Sequence, residues 1–224
     1  MDTINMTFGG KTALLYRETG AGLPLVVFNA FEEDGSEILA AASRLARSPF
    51  HFLCVSNLNW DEELSPWPSP AIYKSEPPFG GGADLYLEQL THEILPAARA
   101  ELPDDPAFTA ITGYSLAGLF SVYALYRTDV FHRAASMSGS LWYPGFLDFC
   151  LSHEMKCRPE KLYFSLGDKE ARTRNPLLQK VQENTESLAA FYRAQGLDVT
   201  WELNPGNHFR DGALRSAKGI SALL

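Results

Sequence analysis

Thr112-Gly113-Tyr114-Ser115-Leu116-Ala117-Gly118 carries the sharpest chemical signal in this 224-residue chain. An apolar stretch (AFTAIT) runs straight into a serine that has Gly113 two residues before it and Ala117 two after. A helical pattern (LAGLFSVYALY) follows at once. A strand that turns this sharply into a helix lifts the serine hydroxyl above the sheet edge, the setting of a nucleophile elbow. Backbone crowds backbone in such a turn, so positions 113 and 117 must be small; Ala117 stands where glycine is usual. An ordinary serine opening a helix is the competing reading, and the strand before it and helix after it favour the elbow.

A serine hydroxyl is a poor nucleophile until a base takes its proton. Where an elbow serine is served by a triad, the acid and then the histidine follow it in the chain. His208 lies in the Pro/Gly-rich loop Asn204-Pro205-Gly206-Asn207-His208-Phe209, directly after a strand-like run (VTWEL) and before the final helix. His132 precedes a strand at the wrong place, and His153 sits in a polar stretch that reads as solvated surface. For the acid, the run LYFSLG ends in Gly167-Asp168-Lys169-Glu170. Glu170, three residues after the glycine, is preferred and Asp168 is the alternative. Its work would be to accept the imidazole Nδ1–H, fix the tautomer and stabilise the imidazolium. The oxyanion hole should combine the backbone N–H of Leu116 with that of Phe31 or Glu32, in the loop after the strand PLVVFNA.

The elements that must position these groups alternate, strand-like then helix-like, for almost the whole length. That pattern argues a mostly parallel sheet with helices on both faces. About eight strands are expected: an antiparallel hairpin (3–8 and 12–16), then 24–30, 50–55, 107–113, 133–138, 161–166 and 199–203. Helices are expected after a capping box at Asp34–Glu37, after a capping Asp84 with Pro96 bending the helix, at 116–126, at about 176–195, and from Arg210 to the end. With no repeat or linker, residues 1–224 read as one α/β domain of the α/β-hydrolase type. The single long irregular stretch, Asn57 to Gly82, is of the kind that is usually functional. Its Trp60 and Trp67, with Trp142 beyond the sixth strand and Tyr114 beside the serine, are the expected substrate-binding aromatics.

Composition narrows the partners. A net charge of −8 repels nucleic acid and anionic membrane surfaces, and the apolar runs are strand-sized, far short of the roughly 20 residues of a membrane helix. The start of the chain has no basic region followed by an apolar stretch. Three cysteines (Cys54, Cys150 and Cys157) fit no metal-ligand spacing. The expectation is a soluble, cytoplasmic enzyme acting on a small molecule, with a homo-oligomer left open. No cofactor or metal is expected. The five histidines show no paired spacing, and Gly80-Gly81-Gly82 lacks the Lys-Ser/Thr of a phosphate loop. Those glycines are expected to allow tight backbone passage beside the cleft.

Three stretches, GYSLAGLFS, PPFGGGADLYLEQLTHEILP and SMSGSLWY, resemble the putative-esterase branch of the α/β-hydrolases, which includes enterochelin-esterase-like enzymes. The GGGADxYLxxLxxEILP pattern is the most specific of them, and the likeness in layout spans nearly the whole chain. The resemblance implies carboxylic-ester cleavage, including siderophore lactones in some branches, by a Ser–His pair with or without a clear carboxylate. An anionic ferric chelate would call for a basic pocket, whereas Lys74 is the only base between Asn57 and Gly82. An apolar or aromatic group fits that stretch better. Thioester hydrolysis or acyl transfer would run on the same machinery, and a catalytically inactive binding module is the reading from another class.

Overall fold

The alternation is realised as one eight-stranded sheet. The computed structural model describes residues 1–31, 34–156 and 158–224. Strands β1 (Asp2–Phe8) and β2 (Lys11–Arg17) form the hairpin. They are followed by β3 (Leu25–Asn29), β4 (His51–Ser56), β5 (Thr109–Tyr114), β6 (Arg133–Met137), β7 (Lys161–Gly167) and β8 (Asp198–Asn204). The order across the sheet is β1-β2-β4-β3-β5-β6-β7-β8. The six strands from β4 to β8 run parallel, and β2 adds antiparallel to β4. Between β3 and β5 the order reverses, because the chain leaves β3 toward β4 but later returns to the other side of it. In open α/β sheets the crevice outside the strand ends at such a switch point is where ligands bind.

The period-2 geometry of strands sorts the core into two layers. Val26 and Phe28 of β3, with Phe52 and Cys54 of β4, pack under helices α1 (Ser36–Leu45) and α8 (Gly212–Leu223) through Leu39, Ala42, Ala217 and Ile220. Leu25 and Val27, with Leu53, Val55 and Ile111, face the opposite layer. There α5 (Leu116–Arg127) is buried from Leu116 to Tyr126, so its sequence is apolar nearly all round. The helices α3 (Ala83–Gln89), α4 (Leu95–Ala100) and α7 (Val181–Ala194) complete that side.

Several local expectations change. The disturbance expected at Pro96 takes the form of a π-turn, Leu90–Ile94, between α3 and α4. Proline offers no N–H and crowds the carbonyl one turn back, which a widened turn relieves. Asp84 does not cap its helix: Gly82 is the cap residue, and the Asp84 carboxylate accepts hydrogen bonds from Tyr123 and Arg127. At α1 the cap residue is Gly35, at φ +77, rather than Asp34, whose Oδ1 accepts the Ser36 N–H at 2.9 Å. The last helix starts at Gly212, not Arg210, because Asp211 sits at φ +55. The stretch at 176–195 opens with a 3₁₀ turn, Leu178–Lys180, before α7. Two short helices were not foreseen, α2 (Trp60–Glu63) and α6 (Phe146–Ser152). Among the described residues no helix is long and apolar enough to cross a membrane.

Candidate active site

The turn from β5 into α5 places Ser115 at φ +58, ψ −123, a backbone conformation that costs a non-glycine residue about 1–3 kcal/mol and persists only where its surroundings enforce it. The surroundings do so. Ser115 N–H donates to Met137 O at 3.1 Å, and Ser115 O accepts from the N–H groups of Gly118, Leu119 and Ser140. A Cβ on Gly113 would collide with the backbone of Ala117, and one on Gly118 would crowd Gly113 O and Gly139 at 3.0 Å. The small residues at 113 and 117 therefore answer to one close approach, as the spacing implied.

The loops after β7 and β8 bring Glu170 and His208 to this serine. His208 Nε2 lies 3.0 Å from Ser115 Oγ, and His208 Nδ1 lies 2.7 Å from Glu170 Oε2. With the carboxylate ionised, Nδ1 carries the proton and Nε2 turns its lone pair to the hydroxyl. Glu170 is 4% exposed, and burial alone would raise its pKa. Hydrogen bonds from His208, Ser138 and the Gly167 N–H outweigh burial and hold the carboxyl below its ordinary range. Oε1 accepts Gly167 N–H at 2.6 Å, Ser138 Oγ–H at 2.7 Å and an Arg215 N–H at 2.9 Å.

Asp168, the alternative acid, is engaged elsewhere: its Oδ1 accepts the Gly206 N–H at 2.7 Å, which straps the histidine loop to the acid loop. Tyr114 holds the same loop from the other side, donating its hydroxyl to His208 O at 2.7 Å. His132 Nδ1 accepts the Thr109 N–H, and His153 is exposed and stacked on Phe149; neither approaches Ser115.

Above the serine opens a cleft of about 530 Å³, a size that suits a small organic ligand. Phe31, Trp60, Ile38, Tyr114 and Phe209 make its apolar walls, and Asp34 and Glu37 are its charged lining residues. Phe31 meets Trp60 edge to face at 5.3 Å, and Phe209, 90% exposed, stands edge-on to the His208 ring. Leu116 N–H, at the first position of α5, has no intrahelical acceptor. Phe31 follows Ala30, the residue just past β3, whose N–H donates to Val55 O of β4 at 2.8 Å. The alternative donor, Glu32, lies outside the described residues.

Two expected substrate-binding residues are not in this cleft. Trp67 gives its indole N–H to Pro144 O at 3.0 Å and packs its ring on Tyr143, Phe146 and Phe149. Trp142 lies against Phe79 and Tyr143. A half-buried indole must find an acceptor, and for Trp67 the carbonyl ahead of α6 supplies it. The loop is thus pinned to the body, and the glycines serve the loop itself rather than the cleft: a Cβ on Gly81 would meet the Trp67–Pro68 backbone. Sequence reasoning passed over Phe209, Ser138 and Arg215. For Arg215 a signal exists, since it shares a helix stripe with Gly219 and Leu223, and a charge on a buried stripe requires a partner. Among the described residues no three His, Cys, Asp or Glu side chains converge as metal ligands would.

Comparison with known proteins identifies the fold and the family. The chain is 23% identical over 192 residues to the uncharacterized protein YbbA of Bacillus subtilis, spanning 81% of this chain and 75% of that one. An IroE-like serine hydrolase from Shewanella oneidensis superimposes with a TM-score of 0.79 at 16% identity, over 95% of this chain and 75% of that one. The siderophore hydrolase EstA of Aspergillus nidulans does so with a TM-score of 0.74 at 17% identity, over 99% and 93%. These likenesses establish the α/β-hydrolase-like fold. A family model described as "Putative esterase" matches residues 39–200, and the chain belongs to that family.

Proposed function

We propose that this protein hydrolyses a carboxylic ester of a small molecule through an acyl-Ser115 intermediate, with His208 as general base and Glu170 as triad acid. The observation that carries the reading is the unbroken relay of 2.7 Å and 3.0 Å from Glu170 through His208 to Ser115 at the floor of a cleft. His208 Nε2 takes the hydroxyl proton as Oγ attacks the ester carbonyl. Glu170 stabilises the imidazolium that forms. The N–H groups of Leu116 and Phe31 receive the developing oxyanion, each worth about 3–4 kcal/mol in the transition state. His208 then passes its proton to the leaving alcohol. Water, activated by the same imidazole, attacks the acyl-serine and releases the acid and free Ser115.

The cleft argues for the kind of ester. Its walls are aromatic and aliphatic, and Asp34 and Glu37 contribute negative charge with no Arg or Lys among the described lining residues. EstA is a siderophore hydrolase by name. An anionic ferric chelate would meet these carboxylates unfavourably, whereas a neutral ester with an apolar or aromatic substituent would bury it against Phe31 and Trp60. Acidic lining, an overall charge of −8 and the lack of a membrane-spanning helix among the described residues are compatible with a dissolved substrate.

The test is hydrolysis of p-nitrophenyl esters from acetate to octanoate by the wild type and Ser115→Ala, with fluorophosphonate labelling alongside. Turnover and labelling that both vanish in the variant support the reading. Turnover retained by Ser115→Ala overturns it, and a wild type that neither turns over nor labels supports an inactive binding module instead.

A further inference from the structure

The relay ends on a charged residue that the proposed reaction does not itself call for. Arg215, in the first turns of α8, is 1% exposed. Its Nη1 reaches Glu170 Oε1 at 2.9 Å, Ser138 Oγ at 3.1 Å and Tyr114 Oη at 3.2 Å, and its Nη2 donates to Pro205 O at 3.0 Å. Room for the guanidinium is built in, because a Cβ on Gly167 would stand 2.9–3.0 Å from both Nη atoms. Each partner belongs to a different part of the site. Tyr114 precedes the nucleophile and holds His208 O; Glu170 is the acid; Pro205 begins the histidine loop.

We propose that Arg215 is a positioning residue for the reaction: it fixes the charge and aim of Glu170, and it joins the segments carrying Ser115, Glu170 and His208 through one guanidinium. The proposal rests on the Ser115–His208–Glu170 reading. Bulk structure alone would be served by an apolar side chain, since replacing a buried ion pair with well-packed hydrophobic residues is often neutral or stabilising. The guanidinium instead meets the carboxylate oxygen that His208 leaves free, so the negative charge facing Nδ1 is retained in a buried place.

The chemical consequence is a pH effect. The titratable groups facing Arg215 are Glu170 from the loop after β7, Tyr114 from β5, and His208 at one remove; Asp168 is turned to Gly206. A fixed positive charge beside Glu170 favours its ionised carboxylate, the form that faces His208 Nδ1. Its removal therefore lets the carboxyl take up a proton at higher pH and moves the acid limb of kcat/KM to higher pH. Loss of packing alone would scale the whole profile without moving it.

The experiment measures the pH profile of kcat/KM and the thermal midpoint for Arg215→Met, Arg215→Lys, Glu170→Gln, and Arg215→Met combined with Glu170→Gln, with Ser115→Ala alongside. Arg215→Met is expected to lower kcat about 10- to 100-fold and to raise the acid limb by about one pH unit. Arg215→Lys should recover part of both effects. In the Glu170→Gln background the further loss should stay within about 3-fold, because the group through which Arg215 acts is already neutral. If Arg215→Met does not fold, the lysine variant and the double variant, which leaves no lone buried charge, decide the matter. An unmoved acid limb with only a lower thermal midpoint overturns the proposal, as does an equal loss in the Glu170→Gln background. Turnover retained by Ser115→Ala removes the reading beneath it, an outcome separable from the other two.

Discussion

The two sides of the cleft are built on opposite plans. On the side of the relay, Glu170 spends both carboxylate oxygens on four donors, and the loops carrying it and His208 are strapped by Asp168, Tyr114 and Arg215. On the facing wall, Phe31 is half exposed, and Asp34 and Glu37 stand in solvent. A buried polar network this densely bonded is stiff even though Arg215 Nε within it has no hydrogen-bond partner, and exposed aromatics adapt to what they cover. On the proposed reading the contrast implies a division of labour: the relay would set the rate of the chemistry and the wall would set which ester enters. Substitutions on the two sides should therefore differ in kind as well as in size.

The largest effect belongs to the nucleophile. Ser115→Ala should lower kcat by about 10⁴- to 10⁶-fold while the thermal midpoint moves little, since the strained turn is held by backbone bonds that alanine keeps. Unfolding of this variant at ambient temperature would mean that the hydroxyl supports the fold rather than the reaction. Next come the two acids. Glu170→Gln should cost about 10³- to 10⁴-fold in kcat, because a neutral amide neither fixes the Nδ1–H tautomer nor stabilises the imidazolium. Asp168→Asn keeps an oxygen that can accept the Gly206 N–H and should cost less than about 10-fold. Equal, small losses in both variants would leave a Ser–His pair working without a carboxylate.

Across the cleft the effect should move from kcat to KM. Trp60→Ala removes a wall and should raise KM for an aromatic ester by about 10-fold with kcat nearly kept. Trp67→Ala should leave KM unchanged and lower the thermal midpoint instead, because its indole packs on Tyr143, Phe146 and Phe149. A KM effect at Trp67 in place of Trp60 would reverse the assignment of the wall.

That pair of tryptophans also marks where sequence reading stops. Strands β3 to β7 are legible because a strand covered on both faces is a mostly apolar run, as in PLVVFNA. Ser115, Glu170 and His208 are legible because the parallel topology brings the ends of β5, β7 and β8 to one edge, so position after a strand predicts position in space. Trp60 and Trp67 lie in one loop and look alike in the chain. What separates them is Pro144 O and α6, nearly eighty residues downstream, and no local pattern reports that meeting. Phe209 was legible in principle as the aromatic next to His208. Arg215 was legible as a cation on the helix stripe it shares with Gly219 and Leu223, although its partner Glu170 lies 45 residues away.

The smallest expected effect tests the electrostatics of the relay without reference to catalysis. Glu170 has its folded-state pKa held below its ordinary value of 4.5, because its hydrogen bonds outweigh the burial that would raise it. A depressed carboxyl contributes stability that is present above the unfolded pKa and is lost as pH falls through the folded value. The wild type should therefore be more stable than Glu170→Gln near neutrality, and the gap should narrow as the pH drops below about 4.5. Denaturant unfolding of both proteins between pH 7 and pH 3 reads this directly. A gap that stays constant over that range would mean that Glu170 stabilises the fold by shape alone. A gap that widens on acidification would mean that burial wins and the carboxyl is held neutral, which would remove it as the partner of an imidazolium.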